Sequence, residues 1–323
     1  MTRLFRQILF LILMTALGTV LLAGCFWGPS QTIVIRDREG YEAARIIIYD
    51  EGGRKKTDDF FHSAVGSKSF SQEPGKYRLV VYDSWGYCYE TGFYLLEEGQ
   101  RLAFSLSADG LASPLGDIIL GIPKMVGIKI ENSSDIYQID EIRIAGNAGG
   151  SSPIWYDRSS LGVNARTYLV EPGTYYIRLF DNKNHLFVSD PVSLAAGQNQ
   201  WLFTHTDTRL EYRDQTAAVN RSIRAGNTAE LEIRNTSAAR RIRSVYLYNL
   251  RGSAYNPEFY VSGINIGPGT NRTFLITSSP QNGQNVQYDV EIYDYSSGHF
   301  TLRSISIPAG ILRTYSYNGF SFQ

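Results

Sequence analysis

Pro74-Gly75-Lys76-Tyr77-Arg78-Leu79-Val80-Val81-Tyr82-Asp83 decides how the chain is read, because its pattern returns twice in the same frame. Pro172-Gly173-Thr174-Tyr175 leads to Asp181, and Val286-Gln287-Tyr288 leads to Asp294. In each copy an Asp stands six positions after the Tyr and a Gly sixteen positions after the Asp: Tyr77, Asp83, Gly99; Tyr175, Asp181, Gly197; Tyr288, Asp294, Gly310. An ungapped threefold match of this kind marks three copies of one supersecondary unit. One parity is apolar throughout: Tyr77, Leu79, Val81; Tyr175, Ile177, Leu179; Tyr288, Val290, Ile292. The other is polar or mixed and ends aromatic, in Tyr82, Phe180 and Tyr293. Period-two alternation with one wet face predicts antiparallel sheet rather than the unbroken apolar strands of a parallel one. Pro-Gly before the Tyr supplies a turn, and the Asp is placed to bond the next backbone N–H groups.

Working outward, a pair of strands opens each copy, with Ile35 and Ile48, Ile130 and Ile144, and Ile233 and Leu247 at matching positions. Aromatic pairs follow, Phe60-Phe61, Trp155-Tyr156 and Phe259-Tyr260, and these are expected to plug one end of each core. Short strands at this spacing predict an all-β chain of three tandem Ig-like or transthyretin-like Greek-key β-sandwich modules, at 31–110, 126–208 and 228–323. The Pro-Gly-x-Tyr opening resembles transthyretin-like and carboxypeptidase-regulatory-like modules of bacterial envelope proteins, although the third copy replaces Pro-Gly with Asn285-Val286. The 111–125 segment reads as an apolar linker around Ile118-Ile119-Leu120, one that should pack on a neighbouring module. The 209–227 segment carries Arg209, Glu211, Arg213, Asp214, Arg221 and Arg224 and reads as a solvated linker, with room for a short helix around Ala217 and Ala218.

Arg3 and Arg6 precede an apolar run from Ile8 to Leu22, shorter than the roughly 20 residues of a membrane-spanning helix. Leu22-Ala23-Gly24-Cys25 follows, so residues 1–24 are expected to be a signal peptide and 25–30 a tether. This tetrad resembles the lipobox of bacterial lipoproteins, which implies cleavage before Cys25, a lipid on its thiol and a membrane partner reached through that lipid. Phe26 stands where Asp would resemble an inner-membrane retention signal, so the outer membrane of the cell envelope is expected. The chain carries 31 basic and 31 acidic side chains, and the basic stripe that nucleic acid requires is missing.

No phosphate loop, nucleophile elbow or His-Glu-x-x-His occurs, and His62, His185, His205 and His299 are isolated in sequence. No catalytic residue, metal or cofactor is therefore expected, and an enzyme with a loop-built site is only the residual reading. Asp83, Asp181 and Asp294 lack the second acid nearby that a calcium site would need, so they are read as hairpin-closing side chains. Cys88, left alone once Cys25 is lipidated, reads as a small buried hydrophobe, with a disulfide between chains as the alternative. The expected function is a binding or adhesion module for a protein or glycan, with an envelope spacer or assembly component as the alternative. An exposed aromatic patch would favour the first.

Overall fold

The computed structural model describes residues 31–323 except 39–41, 63–65, 147–152, 184, 198–199, 216–219, 226–227, 250–258 and 278–286. Leu22, Ala23, Gly24 and Cys25 lie outside the described residues, as do Ala217 and Ala218. Among the described residues every regular element is a strand, and the chain divides between Met125 and Val126 into two compact units.

The first unit contains β1 (Thr32–Asp37), β2 (Ala43–Asp50), β3 (Lys55–Phe60), β4 (Ser67–Ser71), β5 (Gly75–Asp83), β6 (Tyr87–Glu90), β7 (Tyr94–Leu96), β8 (Arg101–Ser107), β9 (Gly110–Ala112), β10 (Ile118–Ile119) and β11 (Ile122–Pro123). One sheet runs β10-β9-β8-β1-β4 and the other β11-β6-β5-β2-β3, with β7 beside the start of β5. Ile33, Ile35 and Phe104 of the first sheet meet Ile46, Ile48, Leu79 and Val81 of the second in one core. The apolar parity of β5 therefore faces inward, as its alternation dictates. The 111–125 segment, expected as an apolar linker packed on a neighbouring module, is built into the first sandwich: Leu111 enters this core, and β9, β10 and β11 extend both sheets. Gly110 makes the first of these additions possible. Its φ is +131°, and a Cβ there would lie 2.5 Å from the Ile119 carbonyl oxygen.

The second unit begins with β12 (Val126–Asn132), β13 (Ile139–Ala145), β14 (Pro153–Asp157), β15 (Asn164–Val170), β16 (Gly173–Asp181), β17 (Leu186–Val188), β18 (Val192–Leu194), β19 (Gln200–His205), β20 (Arg209–Asp214) and β21 (Asn220–Arg224). Its sheets are β15-β12-β19-β20-β21 and β14-β13-β16-β17, with β18 beside β16. The solvated linker expected at 209–227 is overturned. Leu210 and Tyr212 are core residues of β20, and the charges of Arg209, Glu211 and Arg213 belong to its other face. Alternation at period two, rather than charge density, was the informative feature there.

The unit continues with β22 (Thr228–Asn235), β23 (Ile242–Asn249), β24 (Phe259–Ile266), β25 (Asn271–Thr277), β26 (Gln287–Asp294), β27 (His299–Ser306) and β28 (Leu312–Tyr317). These form sheets β25-β22-β28 and β24-β23-β26-β27 around a third core. The chain is thus all-β and built of three β-sandwiches. In each, the first strand pairs in parallel with the strand that closes the module, β1 with β8, β12 with β19 and β22 with β28. The intervening strands supply the long crossover that a parallel pair requires.

The repeated residues have mechanical roles. Tyr77 and Tyr175 donate their hydroxyls to the carbonyls of Glu73 and Glu171 at 2.8 and 2.9 Å, closing the loop that carries Pro-Gly. Gly99, Gly197 and Gly310 adopt φ of +74°, +63° and +74°, a conformation that L side chains avoid. The first two aromatic pairs do not plug the cores as pairs, and the side chains of Phe259-Tyr260 lie outside the described residues. Phe61 and Trp155 pack inward, while Phe60 and Tyr156 lie on the outer face, because neighbours on a strand point to opposite sides. Between the second and third sandwiches Tyr137 Oη donates to the Leu275 carbonyl at 2.7 Å, and Leu275 packs into the second core. Arg272 binds Asp135 and, at 3.0 Å, Asp207 across the same junction.

Candidate functional site

The three aspartates close their hairpins through backbone amides two and four residues on. Asp83 Oδ1 accepts from Trp85 and Tyr87 at 2.9 Å, Asp181 Oδ1 from Lys183 and His185 at 2.9 Å, and Asp294 Oδ1 from Ser296 and Gly298 at 2.8 and 2.6 Å. All three are buried. Their second oxygens meet different donors. Asp83 takes the Tyr89 hydroxyl at 2.9 Å, Asp181 the His185 Nδ1 at 2.7 Å, and Asp294 the Tyr317 hydroxyl at 2.6 Å with Arg240 at 3.3 Å. Burial pushes Asp83 above the ordinary carboxylate value despite its hydrogen bonds. Burial acts on Asp181 as well, but the imidazoles of His185 and His205 outweigh it and hold the carboxyl at about 2. Asp294 is also lowered, with burial outweighed by the Tyr317 hydroxyl and the amides, and Tyr317 is pushed up to about 12 by its own burial and by Asp294.

His185 and His205 are isolated in sequence, and the fold brings them together. His205 Nε2 lies 3.7 Å from Asp181 Oδ2, too far for a hydrogen bond, and its Nδ1 is 3.0 Å from Asn132 Oδ1. The Tyr137 ring stands edge-on to both imidazoles, at 5.4 and 6.4 Å. The available signal was that His205 shares the core parity of Trp201 and Phe203 on the closing strand. Among the described residues no group of three or more His, Cys, Asp or Glu is arranged to hold a metal ion. Cys88 is buried on the outer face of the second sheet among Ile47 and Val80, and burial raises its thiol.

The outer faces of these sheets carry the exposed chemistry. In the first sandwich the Arg45 guanidinium lies 4.4 Å over Phe60, and Arg78 lies 4.8 Å over Tyr49. In the second, Arg143 covers Tyr156 at 5.0 Å and Phe180 at 5.7 Å. Such cation–π contacts satisfy the rings locally. The third sandwich differs, because its rings converge on a carboxylate. Tyr248 and Tyr293 donate their hydroxyls to Glu291 Oε2 at 3.4 and 3.2 Å, and His299 Nε2 approaches the same oxygen at 3.2 Å. Tyr293 stacks on His299 at 4.4 Å, and Tyr246 meets Tyr293 edge-on at 5.3 Å. Burial and the Glu291 charge raise both phenols. Glu291 Oε1 has no protein partner among the described residues. The result is a half-buried aromatic surface, drawn from β23, β26 and β27, around a carboxylate whose three partners all sit on one oxygen. Chemically it can accept a hydroxyl or an N–H from a ligand while offering ring carbon beside it.

A second feature is concave. On the second sandwich a cleft of about 520 Å³ is lined by Glu131, Leu202, Thr204, Glu211, Arg213 and Arg221, which mixes both signs of charge. Neither surface was predicted as a residue set, because each is assembled from several strands.

The sequence matches no protein-family model and no curated protein. Among solved structures it is similar to the TIE protein of Bacillus anthracis, with 10% identity, a TM-score of 0.21 and coverage of 90% of this chain and 51% of that one. It is similar to a DUF3823 family protein from Bacteroides ovatus, with 11% identity, a TM-score of 0.19 and coverage of 87% and 99%. It is similar also to the major pilin subunit of Bacillus cereus, with 9% identity, a TM-score of 0.18 and coverage of 91% and 99%. The chain spans about half the length of the first of these. Such low scores carry no argument about function.

Proposed function

We propose that this chain is a lipid-anchored protein of the bacterial cell envelope, at the outer membrane, whose sandwiches bind a protein or glycan and catalyse no reaction. The observation that supports binding is the convergence of Tyr248, Tyr293 and His299 on Glu291, with Oε1 left for a ligand. Rings beside a single acceptor are suited to saccharide or peptide recognition, since the rings supply area and the carboxylate supplies direction. The anchor rests on Leu22-Ala23-Gly24-Cys25. The test is an array of saccharides and envelope proteins probed with the chain from Phe26 onward. Glu291→Gln should weaken any captured ligand by about tenfold or more, the cost of about one charge-assisted hydrogen bond. Binding unchanged in Glu291→Gln and Tyr293→Ala would remove this surface from the reading. For the anchor, Cys25→Ser should move the protein out of the detergent phase on extraction.

A second reading is a spacer or assembly component. It is favoured by the junction of the second and third sandwiches, where the Tyr137–Leu275 hydrogen bond and the Arg272 ion pairs oppose bending. No ligand on the array, together with loss of a neighbouring envelope protein from pull-downs when Tyr137→Phe loosens the junction, would select it.

A further inference from the structure

One outward position of the repeated strand is a ring in all three sandwiches: Tyr82, Phe180 and Tyr293. In the first sandwich the Arg45 guanidinium stands 5.9 Å over Tyr82 and 4.4 Å over Phe60, and it donates to Asp58 at 2.8 and 3.0 Å. In the second, Arg143 stands 5.7 Å over Phe180 and 5.0 Å over Tyr156, and it pairs with Glu141. Arg178 also stands over Phe180, at 5.9 Å. Common to both sandwiches is a guanidinium set against two rings and a carboxylate.

The third sandwich repeats the rings and the carboxylate without the guanidinium. Tyr248 and Tyr293 hold Glu291 through their hydroxyls. The registers make Ser244, opposite Tyr293, the counterpart of Arg45, and make Tyr246 and Glu291, opposite each other, the counterparts of Arg143 and Arg178. None of these three side chains is a cation. Among the described residues no guanidinium or ammonium stands over Tyr248 or Tyr293. Burial and Glu291 raise the Tyr293 phenol against the opposing charge of Arg243, which is exposed and lies over neither ring. His299 stacks on Tyr293 and shares Oε2 with the two phenols, and its imidazole is a cation only when protonated.

We infer that the third sandwich receives this cation from outside: the Glu291 surface takes the guanidinium of an arginine side chain presented by a partner protein. This rests on the reading of that surface as a binding site and narrows its ligand. The face of an aromatic ring attracts a cation, and a carboxylate bond to a charged donor is roughly twice as strong as a bond between neutral groups. Arginine fits better than lysine, because its planar fork lies against a ring and still reaches a carboxylate, as Arg45 and Arg143 do within this chain.

The probe is the peptide acetyl-Gly-Arg-Gly-amide, titrated at about pH 8, above the ordinary imidazole value, into the whole chain from Phe26 onward. Saturable shifts should appear in the ring signals of Tyr248, Tyr293 and His299, with a Kd of about 1–10 mM, the range of one isolated contact. Citrulline in place of the arginine keeps the shape and removes the charge, and that peptide should bind about tenfold weaker or more. Glu291→Gln should weaken the arginine peptide by a similar factor. Tyr246→Arg restores within the chain the guanidinium of the second sandwich and should block the peptide. No saturable shift, equal shifts from both peptides, or undiminished binding in Tyr246→Arg would overturn the inference. A saccharide or uncharged peptide that is captured, lost in Glu291→Gln and not displaced by the arginine peptide would leave the surface a binding site and overturn the inference alone. Capture of nothing that Glu291→Gln weakens would end both. Shifts that grow with protein concentration before peptide is added would make an arginine of a second copy the ligand, and that also overturns the assignment to a partner.

Discussion

Asp83 in the first sandwich and Asp181 in the second occupy one position of one repeated strand, and their backbone bonds are interchangeable. They differ in what approaches the second oxygen. Asp83 meets a neutral phenol, so burial prevails and its carboxyl is raised. Asp181 meets two imidazoles, which outweigh the same burial and bring it to about 2. The repeat therefore conserves hairpin closure, while charge is set by residues that the repeat does not include.

The largest test removes the group. Asp181→Ala strands two amides and a buried imidazole, and should destabilise the second sandwich by about 3–5 kcal/mol, as loss of one member of a buried pair does. Asp83→Asn keeps the acceptor oxygen that closes the hairpin and abolishes a charge that burial disfavours, so it should cost about 1 kcal/mol. Denaturant melts followed by amide exchange in each sandwich would measure both. Equal losses would break the comparison.

Acid supplies the next test. Because the folded Asp181 carboxyl lies below its ordinary value, its contribution is complete above about pH 4 and disappears as pH falls toward 2, about 2 kcal/mol in all. Asp83 has the opposite sign: its raised value favours folding at low pH, and that contribution is lost as pH rises through the folded value. Asp157, also held at about 2, adds to the acid sensitivity of the second sandwich. Amide exchange at pH 3 against pH 6 should thus show the second sandwich opening before the first, and Asp181→Asn should flatten its profile. The reverse order would refute the assignment.

The smallest effect should be the same in both sandwiches. Tyr77→Phe and Tyr175→Phe each delete one hydroxyl bond to a loop carbonyl, at 2.8 and 2.9 Å, and should each cost about 1 kcal/mol with no change in pH profile. Unequal thermal shifts would show that the two strand openings differ in more than their aspartate partners.

Local chemistry made much of this legible in advance. A strand shows its faces by alternation, so the inward set Tyr77, Leu79 and Val81 could be read before any fold was known. Asp followed by a tight turn, and Gly sixteen positions on, needed only backbone geometry, and their roles match the bonds and the positive φ values observed. The same rule holds in β20, where charge density points the other way. The charges of Arg209–Asp214 imply solvation, but Leu210 and Tyr212 alternate with them and put the segment in a strand.

From the sequence alone came the number of copies, the β class and the inward parity, because each of these follows from residues close together on the chain. The tertiary structure alone decided the parallel pairing of first and closing strands, the meeting of His205 with Asp181 and the rings around Glu291. Each joins residues from separate strands, and pairing between strands depends on register and sheet order, which a period-two pattern does not encode.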